Sequence, residues 1–349
     1  MSNKISGIQQ VGIGVTDVKA SFDWYRKNLG MDVLVFEEAA EANLMLKYTG
    51  GKPAQRHAIM AINLAGGGGF EIWQHTSKTP ELPRFDIQLG DLGIFAAMVK
   101  TQSVLKSHQK LTEQSLHVSK VLSNPVGEQV LSLKDPFGNY FSIQSGIDWF
   151  QQKYLHGGCF GALIGVSDMT ISKPFYQNIL GYDQVIFEGE GFFDDLSFYP
   201  GGQKRFKRVI LGHSKQRKGA FSKLLGASRI ELFQAMDYSP RKIYADRFWG
   251  DPGFIQLCFD VFEMDKLAAE LKSYGVSYVV DSAQSFDMGE AAGRFSYIED
   301  PDGTLIEFVE THKIPVAKKF GLFINLKNRN PQKPLPSLLL KMLGLNRVL

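Results

Sequence analysis

The chain repeats itself, and that limits its fold more than any other feature does. Residues 13–32 read IGVTDVKASFDWYRKNLGMD and residues 164–183 read IGVSDMTISKPFYQNILGYD. Aligned without a gap, nine of these twenty positions are identical: Ile13, Gly14, Val15, Asp17, Ser21, Tyr25, Leu29, Gly30 and Asp32 recur 151 residues later. FEIWQ at 70–74 matches IELFQ at 230–234, and GDLG at 90–93 matches GDPG at 250–253, both at an offset of 160. DPFGNYFSIQ at 135–144 matches DPDGTLIEFV at 300–309 at an offset of 165. The offset widens along the chain, so insertions separate two copies of one ancestral half, and the fold must be built twice.

Each half divides again. Four short β-branched or apolar segments, QQVGIGV, IFAAMV, GALIGV and IQLCFDV, read as strands. Helical stretches follow, clearest in FDWYRKNL and MDKLAAEL, with apolar residues at spacings of three and four. Gly30, Gly181 and Gly275 stand where a helix C-cap glycine belongs. Three further strands complete each unit, several closing through turns such as DPFG and DPDG. The pattern is β-α-β-β-β four times, an α+β fold, with units at about 5–76, 86–148, 158–236 and 249–312. Two domains follow, 5–148 and 158–312, with SKTPELPRF and DWFQQKYLHGG as linkers and a tail at 313–349.

Composition narrows the function classes. Lys and Arg number 39 against 36 acidic residues, a net charge of +3, an excess too small to argue for nucleic-acid binding, which usually goes with a concentrated basic face. Two cysteines, Cys159 and Cys258, supply neither a disulfide framework nor a four-thiolate zinc site, and both are expected in the core. The first residues, MSNKISGIQQ, lack the apolar stretch of a signal peptide. No apolar run approaches the roughly 18 residues of a spanning helix. The expectation is a cytoplasmic protein with a small-molecule partner, no nucleic acid and no integral membrane association, as a monomer or homodimer.

Units one and three carry V-x-D after the first strand, W-Y or F-Y within the helix and L-G after it; units two and four carry D-P-x-G before the last strand. Four β-α-β-β-β units with these marks resemble the vicinal oxygen chelate superfamily, which includes glyoxalase I, bleomycin-resistance proteins, fosfomycin-resistance enzymes, methylmalonyl-CoA epimerase and extradiol dioxygenases. The resemblance covers about residues 5–312 and implies two cup-shaped sheets, as in single-chain glyoxalases. It also implies a metal site in which a paired unit gives one ligand from its first strand and one from its last. The matching positions are Gln10 and Glu71 in unit one and Gln256 and Glu307 in unit four. Unit three has Gly161 and Glu231 there, and unit two has Ala96 and Ser142. Pairing the outer units gives one complete tetrad and leaves the inner pair degraded. The extradiol-dioxygenase pairing, one with two and three with four, would instead gather Glu231, Gln256 and Glu307.

By this resemblance, Gln10, Glu71, Gln256 and Glu307 are expected to hold one divalent cation. An all-oxygen shell favours Mg or Mn, with Zn, Ni or Co also open by analogy with glyoxalases. The implied activity is that of a glyoxalase-like lyase or isomerase acting on a small carbonyl compound through a metal-stabilised enediolate, with Glu307 or Glu71 moving the proton. None of the seven histidines falls at a ligand position, which counts against a 2-His-1-carboxylate iron site and so against an extradiol-type dioxygenase. A non-catalytic small-molecule binding protein is the third reading.

Other features carry expectations of their own. His75 shares a strand face with Glu71 and Trp73, as a rim residue or a substrate contact. The glycines at 66–69 read as a flexible hairpin or bulge. Gly12 and Gly14, on the face of Gln10, either leave room for substrate or mark close backbone packing. The basic run QKRFKRVILGHSKQRKG at 203–219 reads as a solvated loop face or as a seat for an anionic tail such as a carboxylate, phosphate or coenzyme A. In the tail, Pro336 followed by SLLLKMLGL begins a short amphipathic helix, expected to dock on the body of the chain.

Overall fold

The computed structural model describes residues 4–283, 286–287, 292–317 and 321–348. Unit one contains β1 (Ile5–Gly14), α1 (Val18–Leu29), β2 (Val33–Ala42), β3 (Ala54–Ile62) and β4 (Gly69–His75). Unit two contains β5 (Gly93–Thr101), α2 (Val104–Glu113), two short strands β6 (His117–Val118) and β7 (Leu122–Ser123), then β8 (Gln129–Lys134) and β9 (Tyr140–Ser145). Unit three contains β10 (His156–Gly165), α3 (Met169–Asn178), β11 (Gln184–Gly191), β12 (Phe206–Gly212), α4 (Ser222–Leu225) and β13 (Arg229–Ala235). Unit four contains β14 (Gly253–Val261), α5 (Met264–Ser273), β15 (Val280–Asp281), β16 (Phe286–Asp287), β17 (Ala292–Glu299) and β18 (Leu305–Ala317). The tail adds β19 (Leu322–Asn325) and α6 (Ser337–Met342).

These strands form two sheets. The outer sheet runs β15-β17-β18-β14-β1-β4-β3-β2, and the inner sheet runs β11-β12-β13-β10-β5-β9-β8-β6. Units one and four therefore share one sheet, and units two and three share the other. Within each unit the last strand lies parallel to the first, as β1 with β4 and β14 with β18. The units meet through their first strands, β1 antiparallel to β14 and β5 antiparallel to β10.

The repeated sequence marks each have a job. Asp17 and Asp168 are helix N-caps, accepting from the amides of Ala20 and Thr170 at 2.9 and 2.8 Å. Gln74 and Gln234, which close the repeated FEIWQ and IELFQ, accept from the first helical amides, Val18 at 2.9 Å and Met169 at 2.8 Å. Gly30 ends α1 in the left-handed region at φ 72°, where a side chain would be strained. Tyr25 donates its hydroxyl to Asp135 at 2.6 Å, and Tyr176 donates to Asp300 at 2.8 Å. The helix tyrosine of units one and three is thus held by the D-P-x-G aspartate of units two and four. Sheets join units one with four and two with three, while these buried bonds join one with two and three with four.

The four-glycine run is not a free hairpin. Gly67 donates its amide to Leu224 O at 2.8 Å, and Gly68 donates to Cys159 O at 2.6 Å. A Cβ on Gly68 would lie 2.6 Å from the carbonyl oxygen of Ile8, and one on Gly158 would lie 2.3 Å from that of Gly68. The run lets backbone from the two sheets approach where side chains would collide. The tail docks as expected: Leu340 and Leu343 are buried with Val33 and Leu64, and Val348 N–H bonds Asp32 O at 2.8 Å. Among the described residues no helix is long and apolar enough to cross a membrane.

Tyr25→Phe and Tyr176→Phe should each lower unfolding free energy by about 1.5–3 kcal/mol, the worth of a hydrogen bond to a charged partner. Urea denaturation of the two variants should give similar losses, because the pair is built twice.

Candidate metal centre

The register of the outer sheet assembles the site. Across the β1–β14 seam Gln10 lies opposite Cys258, and Gly12 lies opposite Gln256. On the flanks Gly12 pairs with Glu71 of β4, and Cys258 pairs with Glu307 of β18. Strand alternation then turns Gln10, Gln256, Glu71 and Glu307 to one face, and all four are buried. The odd residues Val11, Ile13 and Leu257 point to the opposite face, into the main core.

The four side chains touch. Gln10 Nε2 donates to Glu71 Oε2 at 3.3 Å. Gln256 Nε2 donates to Glu71 Oε2 at 3.2 Å and to Glu307 Oε2 at 3.0 Å. Trp249 Nε1 donates to Gln256 Oε1 at 2.7 Å. An indole N–H can only donate, so this bond fixes which end of the Gln256 amide faces the carboxylates. Gln256 therefore presents hydrogens to them, and its oxygen faces Trp249. Gln10 Oε1, by contrast, is buried and has no hydrogen-bond partner.

Burial raises the carboxyl pKa of both Glu71 and Glu307. Glu307 is pushed up to about 8 by burial first and by the Glu71 carboxylate second. Among the described residues neither forms an ion pair with Lys or Arg. Two acids therefore face each other without a salt bridge to either; Arg56, which pairs with Glu38, acts on Glu71 only through space and lowers its pKa by less than burial raises it. This donor set fits a hard divalent ion through Glu71 and Glu307, with Gln10 joining through Oε1 once its amide, whose Nε2 now donates to Glu71, turns over. Gln256 would join as an oxygen ligand only by turning its amide over and releasing Trp249. Among the described residues no three His, Cys, Asp or Glu side chains gather as metal donors, so an ion in the outer cup would depend on amide oxygen.

The inner sheet has the same register, with Gly161 two before Leu163 opposite Glu231 and Ala96 two before Met98 opposite Ser142. Its chemistry differs. Arg208 donates to Glu231 Oε2 through Nε at 3.2 Å and Nη2 at 2.8 Å, and to Asp195 Oδ1 through Nη1 at 2.9 Å. Gln144 Nε2 donates to Glu231 Oε1 at 3.2 Å. A guanidinium of the chain itself neutralises Glu231. Met98, Phe160, Phe206 and Phe233 fill the rest of the inner cup. Glu231 and Glu307 lie in different sheets, so the pairing that would gather Glu231, Gln256 and Glu307 is not the one adopted.

Several sequence expectations change here. The basic run is neither a solvated face nor an open anion seat throughout. Arg208 is spent on Glu231 and Asp195, and Arg217 is buried with Nη2 on Leu180 O at 2.8 Å. His75 is not at a rim; it is buried edge-on to Trp73, 3.8 Å from Asp251. Gly12 makes room for Gln256, since a Cβ there would sit 3.0 Å from Gln256 Cδ. Gly14 is close backbone packing, because its Cβ would lie 2.0 Å from Asp251 O. Trp249 was not visible as a site residue. It precedes the GDPG turn, and its counterpart at the 160 offset is Leu89, so the repeat gave no signal.

The sequence profile of the Glyoxalase/Bleomycin resistance protein/Dioxygenase superfamily matches residues 7–143 and 159–308. No curated protein matches the sequence. The fold is similar to that of a putative dioxygenase from Bacillus subtilis subsp. subtilis str. 168, with a TM-score of 0.56 and 14% identity over 88% of this chain and 86% of that one. It is also similar to glyoxalase I from Zea mays, with a TM-score of 0.53 and 12% identity over 87% of this chain and 92% of that one.

Arg208→Met should destabilise the fold by about 3–5 kcal/mol, because it leaves two buried carboxylates without their cation. Adding Glu231→Gln to the same chain should recover part of that loss in denaturant unfolding.

Proposed function

Because the chain belongs to the Glyoxalase/Bleomycin resistance protein/Dioxygenase superfamily, we propose that its outer cup is the site of a divalent-metal-dependent, glyoxalase-like lyase or isomerase acting on a small carbonyl compound. One observation carries the reading: Glu71 and Glu307 converge on the Gln256 amide with no salt bridge to Lys or Arg among the described residues, and the Gln10 amide on Glu71 has a buried oxygen without a partner. In the inner cup the corresponding charge is already neutralised by Arg208.

Glu71 and Glu307 would hold the ion, with Gln10 and Gln256 as amide-oxygen ligands if each turns over the amide that now donates to Glu71. A bound divalent cation supplies polarisation of a carbonyl oxygen and stabilises the charge that develops there. The chain's own residues do the rest. Glu307 takes the proton from the carbon next to the carbonyl and returns it, as general base and then general acid. Its carboxylate lies across the seam from Glu71 and accepts from Gln256 at 3.0 Å, which fixes the oxygen that would receive the proton. Glu71 is the second carboxylate on the opposite side of the seam and the competing base. Gln256 orients both acids by donating to each from one amide nitrogen. Trp249 fixes that amide and walls the site against water.

Calorimetric titration with Mn²⁺ should give one site per chain in the wild type and none in the Glu71→Ala/Glu307→Ala double variant. Glu307→Gln keeps an oxygen donor, so it should retain most of the metal while turnover falls by about 10²–10⁴-fold. Normal turnover in both Glu307→Gln and Glu71→Gln with metal bound would rule out proton transfer by these acids. Absence of any metal site would favour a binding protein instead.

A further inference from the structure

The outer cup opens into a cavity of about 370 Å³ whose walls carry information about the substrate. At its floor are Gln10, Glu71 and Glu307. Away from them the lining turns apolar. Val33 and Met60 of β2 and β3 form one wall. Leu224 and Leu225 of α4, in the segment that lengthens unit three, cross from the inner sheet to form a second. Ile314 and Leu343, outside the repeats, form a third. The last two walls have no counterpart in the repeat pattern.

The charge on the lining is one-sided. Among the described residues that line the cavity, the acids are Glu38, Glu41, Glu71 and Glu307, and Arg56 is the one Lys or Arg. Arg56 pairs with Glu38 at 3.3 Å. No residue of the basic run is among those lining this cavity, and Arg208 and Arg217 are buried on other partners. A glutathione or coenzyme A conjugate would bring its negative charges into a cavity whose one described cation already pairs with Glu38, and its polar groups against leucine and methionine.

Resting on the reading that Glu71 and Glu307 hold the ion and move the proton at the reacting carbonyl end, we propose that the substrate is an uncharged aliphatic molecule, with its oxygenated end at these acids and a hydrocarbon tail seated between β2–β3, α4 and the C-terminal helix. The tail supplies binding and the oxygenated end meets the acids. The unit-three insertion and the C-terminal tail therefore set specificity, while the repeats set the chemistry.

The test titrates the full chain with propane-1,2-diol, hexane-1,2-diol and octane-1,2-diol, each with and without Mn²⁺. Each buried methylene should strengthen binding roughly fourfold, so the series should span a hundredfold or more. Val35→Trp fills the slot from a partly exposed strand position, and should flatten the series while leaving the shortest diol unchanged. S-octylglutathione should bind more weakly than octane-1,2-diol. Equal affinity along the series, no binding of the octanediol, or tighter binding of S-octylglutathione would overturn the proposal. The Mn²⁺ arm is separate: a metal effect of the same factor on every diol supports the metal reading. A chain-length gain without any metal effect would leave the slot standing and defeat the metal.

Discussion

The antiparallel seam between β1 and β14 is the constraint on which the rest depends. It places Gly12 opposite Gln256 and Gln10 opposite Cys258. A one-residue slip would turn every ligand candidate into the core and every core residue into the cup. Glycine at position 12 is what allows the seam to carry a glutamine there, since any Cβ would press on Gln256 and on Ile255, the latter at 2.8 Å. With the seam fixed, the parallel pairs β1–β4 and β14–β18 bring Glu71 and Glu307 to its two sides. The tyrosine–aspartate bonds Tyr25–Asp135 and Tyr176–Asp300 then tie each outer unit to an inner one.

The two cups show how one backbone plan can hold opposite electrostatics. Both sheets put the same positions beside the seam. The outer one keeps two acids and two amides around a cavity. The inner one replaces one amide with Gly161, the other with Ala96 and one acid with Ser142, and closes on Arg208. A buried acid either keeps its charge beside a positive partner or is neutralised by a proton, and the inner cup has built the partner into the chain. Among the described residues neither Glu71 nor Glu307 has such an ion pair, and burial raises the pKa of both.

Much of this was legible in the residues. The repeat located four units, and its recurring Asp17/Asp168, Gln74/Gln234, Tyr25/Tyr176 and Asp135/Asp300 turned out to be caps and cross-unit bonds, which is why they recur. The pairing of the outer units followed from where Gln10, Glu71, Gln256 and Glu307 fell. What escaped the sequence lies where long-range contact decides and periodicity does not. Nothing in the basic run separates Arg208, buried on Glu231, from exposed neighbours. The 66–69 glycines look like a hairpin until the backbone of Gly158 and Cys159 arrives beside them. Trp249, α4 and Leu343 come from a linker, an insertion and the tail, where the repeat gives no expectation. Trp249 in turn fixes the Gln256 amide, which a count of donors alone treats as free to present oxygen.

The central claim is that the chain has one metal centre, made where its first and last units meet. Anomalous scattering from crystals of the full chain grown with Mn²⁺ tests it most directly. The account predicts one peak per chain, between Glu71 and Glu307 and within bonding reach of Gln10 Oε1. A peak beside Glu231, or no peak in the outer cup at saturating Mn²⁺, would contradict it.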